Sequence, residues 1–169
     1  FKDITPILAD GKLFRDSVTL LCATAGDAKI DKVVGIDARG FIFASAVADR
    51  LGVGFVPVRK KGKLPWKTRQ TAYALEYGEA IVELHEDAVK PGESVLLVDD
   101  LLATGGTAAA AVKLLDELGA NLVDDDDLRH VVLHRLDHHR MLQRRPGHLH
   151  APRPPNGRVR DVAIATDLV

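Results

Sequence analysis

The chain has 169 residues and a mass of 18.3 kDa, the size of one globular domain with a substantial core. Its 23 basic and 24 acidic residues leave a net charge of -1, so we expect no binding to nucleic acid or to a membrane surface. The longest uncharged stretch, 101–112, is too short to span a membrane, and Lys2 and Asp3 interrupt the start where a secretory signal would be apolar. The single cysteine, Cys22, cannot form an internal disulfide, so we expect a reducing, cytoplasmic location.

The first predicted elements are a helix, a strand and a second helix. Asp10 is a suitable N-cap for a helix that ends near Gly26 and buries four apolar residues at helical spacing, namely Leu13, Phe14, Leu20 and Leu21. The apolar run 32–37 contains β-branched residues and predicts a strand. A loop with Gly40 follows it, and 41–51 predicts a helix that Gly52 stops.

The central part of the chain predicts a further strand, a hairpin and a buried strand. A strand at 53–58 leads into a basic loop at 59–71 and a hairpin within 72–84 that turns at Gly78. After a turn at Pro91 and Gly92, the strand 95–98 is apolar on both faces, as central parallel strands are. A helix over 107–118 ends at Gly119. This alternation predicts an α/β domain with a mostly parallel sheet, whose ligand binds at the carboxyl ends of the strands.

The composition changes after Val123. All ten lysines and all eight aromatic residues precede that point, whereas the 46 residues beyond it hold eight of the thirteen arginines and six of the seven histidines. A segment of this kind buries little apolar surface and is not expected to fold alone. We therefore predict a domain at 1–123 and an anomalous segment, rich in Arg, His and Pro, at 124–169.

The loop after the predicted strand 95–98 carries the strongest functional signal. Asp99 and Asp100 end a buried strand, where two adjacent carboxylates are unfavourable unless a ligand with hydroxyls or a metal uses them. Thr104-Gly-Gly-Thr107 then opens a helix, whose free N–H groups favour a phosphate. A phosphorylated ribose fits both features. The alternative is an ordinary turn with Thr107 as N-cap, and ATP hydrolysis of the Walker type is disfavoured because no lysine follows the glycines.

Four separated motifs resemble the type I phosphoribosyltransferase family, and within it the adenine phosphoribosyltransferases. They are FKDITP at 1–6, DARGF at 37–41, RKKGKLP at 59–65 with LEYG at 75–78, and VLLVDDLLATGGT at 95–107. The resemblance implies a mostly parallel central sheet flanked by helices, with a flexible loop or hairpin over the active site. It also implies a homodimer that uses Mg²⁺ and makes AMP and pyrophosphate from adenine and 5-phosphoribosyl 1-pyrophosphate (PRPP), a reaction of purine salvage.

The resemblance also assigns roles to individual residues. Asp99 and Asp100 would face the ribose hydroxyls, with Asp100 holding the metal directly or through a water. The 5-phosphate would lie on residues 103–107, which are Ala103, Thr104, Gly105, Gly106 and Thr107. The pyrophosphate would be bound by Arg39, Arg59, Lys60 and Lys63. Arginine suits this task because its planar fork pairs two phosphate oxygens.

Further roles concern the proton and the base. Glu76 and Arg39 would be catalytic, with Glu76 as the acid/base that takes the proton of the attacking adenine nitrogen, and Tyr77 would lie beside it in the loop. Phe1 would stack on adenine while the backbone around Lys2 reads its edge. In the family the peptide bond before the arginine of DARGF is often cis. Each polar residue has an ordinary alternative: a solvated loop arginine, a hydrated basic face or a surface glutamate.

The family normally continues after position 123 with a strand, a helix and a closing strand, and 124–169 occupies their place without a recognisable counterpart. We interpret this segment as the product of a shifted reading frame, which translation of the encoding DNA in its other two frames would test. Its paired histidines, His134 with His138 and His148 with His150, are weak indications of a metal site. Two other functions stay open: transfer to another base, and a regulator that binds PRPP without turnover.

Overall fold

The computed structural model describes residues 3–75, 78–100, 105–123 and a short strand at 162–164. The helices are α1 (Thr5–Ala9), α2 (Gly11–Thr24), α3 (Gly40–Leu51) and α4 (Gly106–Glu117). The strands are β1 (Lys32–Ile36), β2 (Gly54–Lys60), β3 (Thr68–Leu75), β4 (Gly78–His85), β5 (Ser94–Asp99), β6 (Asn121–Leu122) and β7 (Val162–Ile164). In this described part, none of the helices has the length and hydropathy that a membrane crossing requires.

The strands form one sheet in the order β3-β4-β2-β1-β5-β6. At its centre, β1 pairs in parallel with β2 on one side and with β5 on the other. The far edge of β5 is shared, because β6 pairs in parallel with its first residues and β7 with its last three, Leu97–Asp99. The hairpin of β3 and β4 is antiparallel and joins β2 through two residue pairs. The prediction of an α/β domain with a mostly parallel sheet is therefore confirmed, with an antiparallel hairpin at one end.

Helices cover both faces of the sheet. Val33 and Val34, neighbours on β1, are both fully buried but on opposite sides, as strand geometry requires. Val33 lies in a cluster with α1, α2 and α3, which includes Phe43, whereas Val34 lies in a cluster with α4 and the hairpin, which includes Leu114. This layering leaves the carboxyl ends of β1 and β5 open between α3, α4 and the hairpin.

The sequence signals explain how the helices begin and end. Asp10 caps α2, since its Oδ1 accepts hydrogen bonds from the N–H groups of Lys12 at 2.8 Å and Leu13 at 2.9 Å. Gly52 ends α3 in the left-handed region, with a φ of 69° that favours glycine. Of the four residues expected to be buried, Leu21 is enclosed, Leu13 and Phe14 are partly buried against the core, and Leu20 is only partly buried. Val18, which was not among them, is enclosed. The short helix α1 was not predicted.

The expected basic loop at 59–71 is shorter than predicted. Strand β2 continues through Arg59 and Lys60, because these residues pair with Glu83 and Val82 on β4. Strand β3 already begins at Thr68. Only residues 61–67 connect the two strands, so Arg59 and Lys60 are held on a strand rather than on a loop.

Candidate active site

A cavity of about 250 Å³ lies at the carboxyl ends of β1 and β5, where the parallel-sheet topology predicts a ligand site. It is bounded by the start of α3, the start of α4 and the β3–β4 hairpin. Its lining contains seven of the predicted site residues, namely Arg39, Lys60, Asp99, Asp100, Gly105, Gly106 and Thr107. The remaining lining residues are Ile36, Asp37, Ala38, Tyr73, Val82 and Ala108.

Asp99 and Asp100 form the floor of the cavity and are only 8% and 4% exposed. Burial raises the pKa of Asp99 well above its usual range; repulsion by the Asp100 charge adds to the shift, while the N–H of Asp100, 2.8 Å from Asp99 Oδ1, opposes it. Burial also raises the pKa of Asp100, although the Arg39 guanidinium limits that shift. Two crowded, desolvated carboxylates are therefore available to hydroxyls or a cation.

The start of α3 packs directly against these carboxylates. Arg39 Nε lies 2.7 Å from Asp100 Oδ2, so the guanidinium is held at the cavity by an ion pair. Gly40 follows it, and a Cβ there would lie 2.7 Å from Asp99 Oδ1, closer than real side chains approach. The cis peptide bond of this segment joins Asp37 and Ala38, one residue earlier than the resemblance led us to expect.

The opposite wall is the amino end of α4. Gly105 precedes the helix with a φ of 78°, in the left-handed region, and none of the side chains that the structure describes caps the helix. The alternative in which Thr107 is the N-cap is therefore wrong, because Thr107 lies inside the first turn. The first N–H groups of a helix have no partner within the helix and carry partial positive charge, and here they border the cavity. This wall suits a phosphate.

The predicted basic residues separate into two groups. Lys60 lines the cavity, whereas Arg59 and Lys63 do not. Arg59 is engaged elsewhere: its Nε donates to Asp37 Oδ2 at 3.2 Å, its Nη1 donates to the Lys63 carbonyl at 3.1 Å, and its guanidinium lies 6.0 Å from the centre of the Phe41 ring. The side chain of Lys63 is exposed. In the structure, Arg59 thus lies beside the cavity and connects Asp37 with the backbone of Lys63.

Six of the predicted site residues lie outside the described part of the chain, namely Phe1, Lys2, Glu76, Tyr77, Ala103 and Thr104. The paired histidines of 124–169 lie outside it as well. Conversely, sequence reasoning missed Asp37 and Tyr73, which both line the cavity. The signal for Asp37 was present, since it directly follows β1 and β1 is a parallel strand. Tyr73 reaches the cavity only because the hairpin folds back over the sheet.

The residues present fit a magnesium ion that brings most of its own ligands. Among the described residues, no three His, Cys, Asp or Glu side chains cluster as a ready-made metal site. Asp99 and Asp100 nevertheless offer hard oxygen atoms at the cavity floor, and Mg²⁺ is commonly held by one or two carboxylates together with phosphate and water. Burial raises the pKa of both carboxyls, and the charge of Asp100 adds to the shift at Asp99, so a bound cation would favour their ionised forms.

Comparison with known families agrees with this geometry. The phosphoribosyl transferase domain family matches residues 9–143. The adenine phosphoribosyltransferase of Paracoccus denitrificans is 59% identical over 123 residues, which are 73% of this chain and 66% of that protein. A Bradyrhizobium adenine phosphoribosyltransferase is 60% identical over 123 residues, covering 73% and 69% of the two chains. The chain thus spans about two thirds of the length of these relatives.

Solved structures give the same result. The crystal structure of adenine phosphoribosyltransferase from Thermoanaerobacter pseudethanolicus has a TM-score of 0.70 and 52% identity, covering 74% of this chain and 72% of that one. The Saccharomyces cerevisiae enzyme, crystallised with an imino-altritol bisphosphate and adenine, has a TM-score of 0.69 and 43% identity, with coverages of 76% and 75%. The expected fold of the type I phosphoribosyltransferases is confirmed.

Proposed function

Since the chain belongs to the phosphoribosyltransferase family, and within it to the adenine phosphoribosyltransferases, we propose that it makes AMP and pyrophosphate from adenine and PRPP in purine salvage. One observation carries the proposal: a single cavity brings together two buried carboxylates, a helix amino end and two cationic side chains, Arg39 and Lys60. These are the groups that a ribose carrying a phosphate and a pyrophosphate requires.

Different walls of the cavity bind different parts of the substrate. The amino end of α4, with Gly105, Gly106 and Thr107, holds the 5-phosphate through N–H groups and a hydroxyl. Asp99 and Asp100 accept hydrogen bonds from the ribose hydroxyls. Because the phosphate is remote from the reacting carbon, its binding energy orients that carbon towards the attacking nitrogen of adenine.

The leaving pyrophosphate develops charge as its bond to the ribose breaks. Arg39 and Lys60 stabilise that charge from the side of α3 and β2, and the ion pair with Asp100 keeps Arg39 in place. We propose that Mg²⁺ binds at Asp100, with Asp99 beside it, and when bound supplies further positive charge to the phosphate oxygens. Arg59 near the end of β2 and Lys63 in the turn that follows contribute beside them.

The remaining assignments follow the family resemblance. We propose Glu76 as the acid/base for the proton of the attacking nitrogen, with Tyr77 in the loop beside it. Phe1 and Lys2 contact adenine, and Ala103 and Thr104 complete the phosphate loop. Within the described part, Tyr73 and Val82 show that the β3–β4 hairpin forms a wall of the cavity. This supports a site that the hairpin shields from water.

A parallel assay with adenine, hypoxanthine and guanine tests the function, with pyrophosphate release as the readout. We expect release with adenine and PRPP together and none when PRPP is omitted. Release with another base instead would overturn the adenine assignment. Binding of PRPP without release would identify a regulator.

The same assay tests the carboxylate floor. Asp100→Asn removes the charge that pairs with Arg39, and we expect turnover to fall at least about 100-fold, as for other lost transition-state contacts, while the melting temperature changes little. The matched control is Asp49→Asn, an exposed position on α3, which should keep wild-type turnover. Unchanged turnover in Asp100→Asn would contradict the site assignment.

We also propose that the enzyme acts as a cytoplasmic homodimer. Two large apolar side chains stay exposed, Ile42 on α3 at 39% and Trp66 in the turn after β2 at 65%, and a second copy of the chain could cover them. The free thiol of Cys22 is compatible with a reducing compartment. Light scattering of the purified chain would measure its mass, and a monomer at micromolar concentration would contradict the dimer.

A further inference from the structure

Glu83 is a buried carboxylate that the proposed reaction does not use. It lies on β4, two residues before the strand ends, and is only 2% exposed, a position that glutamate rarely occupies without a partner. Its cross-strand neighbours are Arg59 on β2 and Gln70 on β3. An ionised group in such a place is destabilising unless donors surround it, so its contacts indicate what it holds in place.

Among the described residues, the hydrogen bonds to this carboxylate come from neutral donors. Oε1 accepts from the backbone N–H groups of Lys63 at 2.8 Å and Leu64 at 2.9 Å. Oε2 accepts from Thr68 Oγ1 at 3.4 Å and Gln70 Nε2 at 3.3 Å. Consecutive N–H groups that converge on one anion form a nest, and Gly62, with a φ of 80°, provides the left-handed residue that such a turn uses.

The carboxylate is held in its charged form. Burial raises the pKa of Glu83, but hydrogen bonds from the backbone of Leu64, Gly62 and Lys63 and from Thr68 outweigh burial, and the pKa falls below the ordinary 4.5. Hydrogen bonds to an ionised acceptor are about twice as strong as neutral ones. Glu83 therefore fixes the turn at 62–64 by charge-assisted bonds to its backbone.

This turn connects to the cavity in two ways. Lys60, two residues before Gly62, lines the cavity. The carbonyl of Lys63 accepts a hydrogen bond from Arg59 Nη1, and Arg59 Nε binds Asp37 Oδ2 in the cavity lining. A continuous set of hydrogen bonds thus runs from Glu83 through the turn and Arg59 to the wall that faces the expected pyrophosphate.

We propose that Glu83 is a positioning residue. It holds the turn at 62–64 and, through Arg59, the side chain of Asp37 in the conformation that binds the pyrophosphate group of PRPP. The ligand named here rests on the proposed function, whereas the positioning itself does not. Without the carboxylate, the turn would populate several conformations, and apparent affinity falls in proportion to the competent fraction. If that fraction dropped to about one tenth, the Kd for PRPP would rise about tenfold.

The test compares the wild-type chain with Glu83→Ala and Glu83→Gln, and uses Glu86→Ala, an exposed glutamate just beyond β4, as the matched control. Hydrogen exchange by NMR reports the Lys63 and Leu64 amides. Calorimetry without adenine gives the Kd for PRPP with Mg²⁺, and steady-state kinetics give the KM for each substrate.

We expect faster exchange at both amides, a roughly tenfold higher Kd and KM for PRPP, and an adenine KM within about twofold of wild type in Glu83→Ala. In Glu83→Gln, the amide oxygen can still accept hydrogen bonds from the turn, so its exchange rates and its Kd and KM for PRPP should lie between those of wild type and Glu83→Ala. If Glu83→Ala does not fold, the values for Glu83→Gln test the proposal. A folded variant with unchanged PRPP affinity or unchanged exchange would overturn the proposal. A wild type that binds PRPP but forms no AMP would overturn only the proposed function.

Discussion

Gly40 shows how strictly a single position controls the carboxylate floor. A Cβ at this residue would meet Asp99 Oδ1 at 2.7 Å, the Val98 carbonyl at 3.1 Å and Asp99 Cα at 3.2 Å. Two of these three atoms belong to the backbone of β5, which cannot move aside without disturbing its pairing with β1. Glycine is required here because α3 approaches β5 too closely for any side chain.

We predict that Gly40→Ala lowers the free energy of unfolding by about 1–3 kcal/mol, the usual range for overpacking, and weakens PRPP binding because Asp99 must move. Denaturant unfolding and calorimetry would measure the two effects. Gly54→Ala is the control, because its Cβ would find only Lys32 Cγ at 3.9 Å, an ordinary contact. Equal stability of the two variants would contradict the packing argument.

Glu83 gives a second prediction at this scale, one that depends on pH. Its folded pKa lies below the ordinary 4.5, so its contribution to stability is fully present above about pH 4.5 and is lost as the pH falls through the folded value. Glu83→Gln removes this contribution. We expect the variant to be less stable by about 1–3 kcal/mol at pH 7, as for lost hydrogen bonds to a charged group.

The difference between wild type and Glu83→Gln should shrink as the pH is lowered below about 4.5, because protonation removes the charge from the wild type as well. Urea unfolding at several pH values between 3 and 7 would show it. The opposite trend, a difference that grows towards acid, would mean that burial outweighs the hydrogen bonds. Arg59 on β2 is the basic residue that pairs with Glu83 across the two strands.

At the scale of elements, Arg59 links three segments: β2, the loop after β1 and the turn before β3. We predict that Arg59→Lys weakens PRPP binding by about three- to tenfold although the charge is kept, because a lysine lacks the planar fork that reaches Asp37 and the Lys63 carbonyl together. Calorimetry with PRPP and Mg²⁺ would measure the change.

Lys61→Ala is the control for charge, since Lys61 is exposed in the same turn and does not line the cavity. We expect its PRPP affinity to stay within about twofold of wild type, as for other exposed charges. If Lys61→Ala weakened PRPP binding while Arg59→Lys did not, PRPP affinity would depend on the positive charge of the turn. It would not depend on the hydrogen bonds of Arg59 to Asp37 and the Lys63 carbonyl.

Elements with local signals were predictable from the sequence. The end of α3 follows from Gly52, and β5 follows from an apolar run that is buried on both faces. The end of β2 was not predictable, because Arg59 and Lys60 extend the strand through pairing with Glu83 and Val82, more than twenty residues away. Periodicity within a segment carries no information about such partners.

The same division applies to the candidate site. Asp99, Asp100 and the glycine turn were found because strand, loop and helix are consecutive in the chain, and the topology then places them in one cavity. The position of Arg59 beside Asp37 could not be found, because a basic run in a sequence does not say where each side chain points. Tyr73 and Glu83 depend on the fold of the hairpin over the sheet.

At the scale of the molecule, the edge of β5 depends on the far end of the chain. Strand β6 covers only Ser94 and Val95, and β7 covers Leu97–Asp99. The last residue of that range, Asp99, forms the cavity floor. The segment after Val123, which offered no recognisable strand from its composition, thus supplies backbone pairing to the strand that bears the site.

We therefore predict that a chain ending at residue 161 is less stable than one ending at residue 164, which keeps β7. Two or three ladder hydrogen bonds at about 0.5–1.5 kcal/mol each give a loss of roughly 1–4 kcal/mol, or about 2–16 °C in melting temperature for a domain of this size. Calorimetric melting of the two truncated chains and the full chain would measure it.

The two truncated chains should also differ in their affinity for PRPP. Since β7 pairs with the residue that forms the cavity floor, the chain ending at 161 should bind PRPP more weakly than the chain ending at 164, and saturating PRPP should raise its melting temperature less. The chain ending at 164 should match the full chain in both measurements. Identical melting and PRPP affinity for the two truncated chains would show that the pairing of β7 with β5 contributes nothing to the fold or to the site.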